Sequence, residues 1–356
     1  MIGSGMVGLS VAWLLLRRGH GVTLVDPCAA GPQQPGSGSS AALGLLMAQV
    51  YRRSSGRGWR LRQRSHQLWG EWRRELSSRG YQLPWRPGLL QLAADSQEVL
   101  AQQRLVEHRV QRGIALQWLS RDALAVLQPS LPAAAQGGVL SAEDGQLDPL
   151  PMLGALRADG LRLGLELMPT TAVALERPAR GGGDWRVALA EGPWLQAQWL
   201  VICAGLGSPA LLAPLGHERP QAPVLGQALE LQLPAGCPDA SGWPGSISWN
   251  GINLVPRANG RLWLGATVEP DSDKANAQAL AELRLLGGQA PAWLEQATVL
   301  QQWQGLRARP CGRPAPLLEQ LEPGLLLASG HYRNGVLLAP ASAEWVAEKV
   351  ETNPQV

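Results

Sequence analysis

Apolar and polar positions sort the first 26 residues into one small unit. Residues 9–16, Leu-Ser-Val-Ala-Trp-Leu-Leu-Leu, stay apolar through two turns and predict a buried helix. Gly19-His20-Gly21 breaks it, and Val22-Thr23-Leu24-Val25 predicts a short buried strand ending at Asp26. Trp199-Leu200-Val201-Ile202 predicts a further buried strand that stops at the small residues Cys203-Ala204-Gly205. Asn253-Leu254-Val255-Pro256-Arg257 and residues 261–269, separated by a turn at Gly260, predict a hairpin. Residues 342–350 predict a C-terminal helix. Residues 52–74 interleave eight Arg with Trp59, Trp69 and Trp72, the pattern of a surface helix with Trp and Leu inward and Arg outward. Residues 181–184 and 235–238 are loops, and no internal repeat is present.

The glycines ahead of the first helix carry chemistry. Gly3-Ser4-Gly5-Met6-Val7-Gly8 is a GxGxxG, and Asp26 follows its last glycine by 18 residues. Glycine, helix, strand and acid in this order form a dinucleotide-binding unit. Its glycines admit a pyrophosphate at the positive end of the helix, and its carboxylate accepts from ribose hydroxyls. The first strand of such a unit should supply about five or six residues before Gly3, where Met1 and Ile2 stand. The expectation is that the chain either starts upstream or has a shortened central strand, with weaker cofactor retention than a form extended by apolar residues.

Composition narrows the classes. The 356 residues suffice for two domains, and 45% hydrophobic with 17% charged excludes a disordered chain. A net charge of +3 gives no general nucleic-acid or anionic-membrane surface. Cys28, Cys203, Cys237 and Cys311 show no CxxC and the five His no HExxH, so no metal site is expected and the thiols read as free, in the cytoplasm. No apolar run reaches the ~18 residues of a membrane span. The apolar start is not read as a signal peptide, because Arg17 and Arg18 follow it. The aromatics are lopsided, with 15 Trp, 3 Tyr and no Phe.

Four further segments point to one family: Gln146-Leu147-Asp148-Pro149, the hairpin with LVPR, GRL and GATVE, Gly305-Leu306-Arg307, and Gly330-His331-Tyr332-Arg333-Asn334-Gly335 followed by Leu337-Leu338-Ala339-Pro340. With the N-terminal unit they resemble the D-amino-acid oxidase-like FAD-dependent oxidoreductases over nearly the whole chain, nearest the glycine-oxidising branch that serves thiamine thiazole synthesis. An NAD-dependent dehydrogenase shares the first motif and leaves the GHYRNG block unexplained. The resemblance implies an α/β (α+β overall) protein. A Rossmann-like FAD-binding domain, discontinuous over 1–75, 145–215 and 305–356, would be interleaved with a mostly antiparallel substrate domain over 76–144 and 216–304.

It also implies noncovalent FAD, with Cys311 a free thiol, and oxidative deamination of glycine or a similar small amino acid or amine. The products are a 2-oxo acid, ammonia and, with oxygen as acceptor, hydrogen peroxide. Relatives are often homo-oligomers. The implied cofactor residues are Gly3, Gly5, Met6, Val7, Gly8, Asp26, Pro27, Ser39, Ser40, Leu43, Gly44, Leu45, Val173, Gly205, His331, Tyr332, Arg333, Asn334, Gly335, Val336 and Leu337. Arg307, Arg333 and Asn253 would bind substrate, with no catalytic side chain because the flavin performs the chemistry. The branch places a substrate-contacting Tyr where this chain has Asn253, while Tyr51 and Tyr81 are expected away from the site. Sarcosine oxidase-like and D-amino-acid dehydrogenase-like activities therefore stay open, as does a flavin-binding protein without catalysis.

Overall fold

Apolar strands too short to alternate demand burial on both faces, and they obtain it in a parallel sheet. In the computed structural model, which describes residues 1–31, 36–179 and 183–352, Thr23–Val25 pairs in parallel with Glu166–Met168. Ile2 bridges in parallel to Val25 on one side and Ile202 on the other. Leu200–Ile202 pairs in parallel with Leu325–Ser329, whose far edge takes Leu317–Glu322 antiparallel. Leu24, Val201 and Leu326 point into the helices Met6–Arg17, Pro149–Arg162 and Gly335–Thr352. Their neighbours Val25, Ile202 and Leu327 point into the antiparallel ribbon Ala172–Glu176, Trp185–Leu189 and Leu195–Ala197. This is the expected Rossmann-like arrangement.

A ten-stranded mixed sheet roofs it. Among the described residues one of its pairings, Ser246–Trp249 with Trp85–Ala93, is parallel and the others are antiparallel. Its longest pair joins Gln221–Gln232 to Thr298–Pro310. Thr298–Pro310 and Gly137–Leu147 run through positions 305 and 145, where the units were expected to divide, and both strands belong to the large sheet along their length. Residues 181 and 182 of one expected loop lie outside the described residues.

Two elements differ from expectation for local reasons. The hairpin pairs Asn253 with Gly265 and Arg257 with Arg261 but stops at Gly265. Thr267 Oγ1 then accepts from the Gln227 N–H (2.8 Å), drawing the chain off, and Glu269–Pro270 pairs with Gln221–Gln232 instead. The last helix starts at Gly335, not 342, and runs through Pro340. Proline removes the donor that Val336 O would receive. The indole Nε1–H of Trp69 fills the gap, donating to Val336 O (2.9 Å) and Leu337 O (3.2 Å), while Ala341 N–H turns to Ser65 Oγ (3.1 Å).

Trp69 and Ser65 lie on Gly56–Ser78, the Arg-rich helix, which buries Leu68, Trp69, Trp72 and Leu76 as expected. Several of its arginines are committed to attachment: Arg64 to Glu344 (2.5 Å), Arg62 on the Tyr51 ring and Arg73 on the Trp85 ring. Trp takes the place of Phe as the core aromatic, and its N–H needs an acceptor when buried. Trp185, Trp243, Trp249 and Trp293 each find a backbone carbonyl, at Pro323, Pro129, Leu286 and Ser130.

Candidate active site

Between the two sheets lies a cavity of about 1270 Å³, larger than the roughly 1,000 Å³ upper range of a small-ligand pocket. Its floor at one end is the glycine loop. Gly3 has φ +106, and a Cβ there would meet Cys203 O at 2.5 Å. A Cβ on Gly8 would overlap Gly3 O, so Gly8 allows helix and strand to close up and does not itself face the cavity. Gly5 caps the helix without a side chain, and the Met6 N–H is taken by Ser39 Oγ (2.9 Å). Asp26 Oδ2 accepts from Ser4 N–H (2.9 Å) and Oδ1 from Cys28 N–H (2.7 Å), which fixes the carboxylate at the strand end beside Pro27. Ser40 turns into its own loop, donating to Ser37 O (3.1 Å), and does not line the cavity. Gly8 and Ser40 thus depart from the expected lining, which the other implied cofactor residues supply, Val173 and Gly205 included.

The middle of the cavity is walled by Leu43, Gly44 and Leu45. Gly44 has φ +77, and a Cβ on it would overlap Leu147 O. Leu147 N–H donates to Gly44 O (2.9 Å) and Gln146 Nε2 to Leu43 O (3.0 Å). Asp148 caps the helix Pro149–Arg162 and pairs with Arg257 (2.5 Å). The QLDP motif is therefore the clamp that holds this wall.

The opposite wall is the GHYRNG turn. It leaves Leu325–Ser329 through Gly330 (φ +64) and Tyr332 (φ +54) and enters the last helix at Gly335. Tyr332 is a bulky residue in left-handed space, a conformation that concentrates at functional sites. Asn334 Oδ1 accepts from Arg62 Nη2 (2.9 Å). Ser342 Oγ donates to Leu338 O and accepts from His331 Nε2–H, both at 2.8 Å. Burial, and then the charge of Arg57, pushes the His331 imidazole down to about 3 from 6.5. The ring is neutral in the folded protein, so its contribution to stability is complete above pH 6.5 and is lost as pH falls toward 3, at about 1.4 kcal/mol per pH unit. Melting temperature measured from pH 7.5 to 5 should fall more steeply in the wild type than in His331→Gln. Equal slopes would remove His331 as the cause.

Arg307 closes the cavity from the large sheet. Its Nη1 donates to Leu225 O (3.1 Å) and Thr267 O (3.0 Å), and Nε and Nη2 make no hydrogen bond among the described residues. Burial and the charge of Arg333 lower its pKa, with Tyr332 and Glu269 opposing; a guanidinium stays charged regardless. Glu269 anchors the nearby turn. Burial works against its charged form, but bonds from Thr267, Gln227 and the Asn276 N–H, with Arg307 nearby, hold its carboxyl below the ordinary value. Arg333 lies exposed on the same cavity, and Asn253 is buried on it, its Oδ1 without a partner among the described residues. The three substrate residues expected from sequence thus share one cavity with most of the residues expected to hold the cofactor.

The structure adds residues that sequence reasoning passed over. Tyr51, expected away from the site, lines it together with Arg52 and Arg62. The reason is Arg109, fully buried, which stacks on Trp59 and donates to Gln49 O, Tyr51 O, Arg53 O and Ser54 Oγ. It pins the segment that carries Tyr51 to the cavity wall. Tyr81 does lie elsewhere, packed on the helical core. Gly226, which meets the Arg307 head, carried no signal beyond a glycine in a strand, and Thr267 was named only within the GATVE motif with no part at the site.

A Rossmann-like unit with a glycine cradle, joined to a mixed-sheet roof that supplies a half-buried arginine, fits a dinucleotide-dependent oxidoreductase. The chain belongs to the FAD dependent oxidoreductase family, whose model matches residues 1–349. It is similar to the glycine oxidase of Bacillus licheniformis, 27% identical over 99% of this chain and 93% of that protein. It is 29% identical to the glycine oxidase of Geobacillus kaustophilus over 99% and 92% of the two chains. The crystal structure of glycine oxidase from Geobacillus kaustophilus superposes with a TM-score of 0.86 over 99% of this chain and 94% of that one. The bifunctional protein ThiO/ThiG of a Nostoc species is 29% identical over 98% of this chain, which spans 52% of that longer protein. The enzyme is therefore an FAD-dependent oxidoreductase of this fold, and no helix among the described residues is long and apolar enough to cross a membrane.

Proposed function

We propose that the enzyme oxidises the amine of glycine or a similarly small amino acid. The observation that carries this is Arg307, a half-buried cation held by two carbonyls with the rest of its fork free to take a carboxylate. Arg333 adds a second positive charge on the same cavity. The glycine cradle fits FAD: Gly3 and Gly5 with Ser39 would receive the pyrophosphate, Asp26 the ribose, and Leu43, Gly44 and Leu45 would lie against the ring. His331, Tyr332, Asn334 and Gly335 would meet its polar edge, near the positive end of the last helix. When bound, FAD supplies the two-electron chemistry. The chain's part is to fix the carboxylate at Arg307, so that the α-carbon faces the cofactor with its amine neutral, and to keep the pocket dry. Burial pushes the His331 imidazole down to about 3, too weak a base to take the substrate's proton near neutral pH. Oxygen as final acceptor, a homo-oligomeric state, a cytoplasmic setting and supply of thiamine thiazole synthesis complete the proposal. They rest on the family resemblance and on similarity to the glycine oxidases and ThiO/ThiG proteins. The same proposal divides the chain into the discontinuous FAD unit and the interleaved substrate unit.

The test is spectroscopic. Purified protein should be yellow and should bleach when glycine is added without oxygen, with peroxide forming once air returns. A yellow protein that no small amino acid bleaches would overturn the proposal, and activity with a dye alone would assign a dehydrogenase.

Asn253 favours a second reading, in which a secondary amine or a larger amino acid is preferred. The side chain is shorter than Tyr and leaves a buried acceptor unpaired. Asn253→Tyr should raise kcat/KM for glycine relative to sarcosine by about tenfold, the discrimination a pocket narrowed by about one methyl group achieves. An unchanged ratio would free Asn253 from any part in specificity.

A further inference from the structure

The strands Gln221–Gln232 and Thr298–Pro310 place two glycines opposite each other, Gly226 against Gly305, two pairs along from Val224 opposite Arg307. Arg307, Gly305, Gly226 and Val224 therefore share one face of the sheet, and the glycine pair opens a gap in its layer of side chains. Both halves of the gap are filled by something else. A Cβ on Gly226 would overlap Nη2 and Cζ of Arg307 and meet Nη1 at 2.5 Å. A Cβ on Gly305 would overlap the Ala41 Cβ and lie 2.9 Å from Ser37 O. Neither glycine has the left-handed φ that would by itself demand glycine.

We infer that this pair is a positioning device that seats the substrate anchor and the cofactor loop side by side. Gly226 lets the Arg307 guanidinium lie flat on the strand, where Leu225 O and Thr267 O reach its Nη1 and the remaining N–H groups are left for the cavity. Gly305 receives the loop 36–41, which is stitched down by Leu306 N–H to Gly36 O (2.9 Å) and by the Ser37–Leu306 bridge. That loop carries Ser39, whose Oγ accepts from the first N–H of the phosphate-loop helix. One gap in one sheet thus sets the distance between anchor and cofactor, the quantity that decides how productively a bound substrate lies. The inference rests on Arg307 being the carboxylate anchor.

Two substitutions separate the halves. Gly226→Ala displaces the far end of a flexible side chain, so the fold should survive while the fork loses its tethers. KM for glycine, and the Kd for acetate read from the flavin absorbance, should each rise about 10- to 100-fold, with FAD content unchanged. Gly305→Ala meets backbone and a short side chain that cannot turn away, so it should lower FAD retention after gel filtration at least about threefold. Gly226→Ala/Arg307→Ala should bind acetate no more weakly than Arg307→Ala alone, because both act through one group. The double variant should also melt no lower than Gly226→Ala, since the overlap is gone. If Gly226→Ala alone does not fold, a folded double variant still supports the seat, whereas failure of both overturns it. Wild-type KM and acetate affinity in Gly226→Ala, or additive losses in the double variant, would also overturn it. Wild-type FAD retention in Gly305→Ala would remove the cofactor half. If instead Arg307→Ala itself leaves acetate affinity unchanged, the anchor assignment fails and not merely the seat.

Discussion

Arg307→Ala should raise KM for glycine by two to three orders of magnitude and leave FAD bound. The size follows from burial. A carboxylate entering the cavity sheds water, and the guanidinium is its replacement; truncating one partner of a buried charged pair costs about 3–5 kcal/mol. That is roughly 10²- to 10³-fold in affinity. In the proposed arrangement the cofactor would be held elsewhere, by the glycine loop and by residues 43–45, so the flavin spectrum should not change. Arg307→Lys should recover only part of the loss, because a point charge cannot keep Nη1 on Leu225 O and Thr267 O and still offer two parallel donors. Steady-state kinetics with glycine, alongside titration with a carboxylate that is not oxidised, checks this. A KM within threefold of wild type would remove Arg307 from the site.

The second large effect is expected at the cofactor wall. Gly44→Ala should yield protein with less than about half the wild-type flavin content. Two costs coincide there. Left-handed φ (+77) is strained for a residue with a side chain, and the new methyl would overlap Leu147 O. That carbonyl has no freedom to retreat. It belongs to the strand Gly137–Leu147, and its neighbours are locked by Leu147 N–H to Gly44 O, by Asp148 on Arg257 and by the helix that Asp148 caps. Strain of about 1–3 kcal/mol must therefore be relieved by residues 43–45, the ones proposed to lie against the ring. The ratio of visible to ultraviolet absorbance after purification, and the apparent Kd for added FAD, measure the loss. Full flavin content in Gly44→Ala would show that this wall does not hold the cofactor. Gly19→Ala, where φ is also positive (+86) but no atom lies within 4 Å of the added Cβ, separates backbone strain from the collision. It should keep its flavin.

What was legible from the sequence is what neighbouring residues decide among themselves. The glycine loop, its helix, the strand and Asp26 lie within 26 residues. Asp26 meets Ser4, its partner in that unit, because a helix and a short return strand leave few other arrangements. The family motifs were equally visible, and the structure turns them into mechanics: QLDP into the clamp on Gly44, GHYRNG into a turn that enters the last helix. The same kind of reasoning lost accuracy wherever a distant group intervened. The last helix read as beginning near 342, yet it starts at Gly335 and passes through Pro340, because Trp69 supplies the donor that proline lacks. Tyr51 read as remote, yet Arg109, 58 positions away, brings it into the cavity. The hairpin read as continuous to Glu269, yet Thr267 ties back to Gln227 and ends it early. Composition said least about chemistry: the abundant Trp fill core positions and bond to carbonyls that no pattern foretells.

By itself, then, the sequence determined the class of fold and the cofactor family and singled out the arginine proposed as anchor, because glycine spacing, apolar runs and motif residues are local properties of the chain. Only the tertiary structure decided where the anchor points. That direction depends on the absence of a side chain at Gly226 and on two carbonyls, Leu225 and Thr267, all on segments far from Arg307 in the chain. A missing Cβ has no pattern of its own along the sequence. It acquires meaning when a second strand is laid beside it and a guanidinium needs the space.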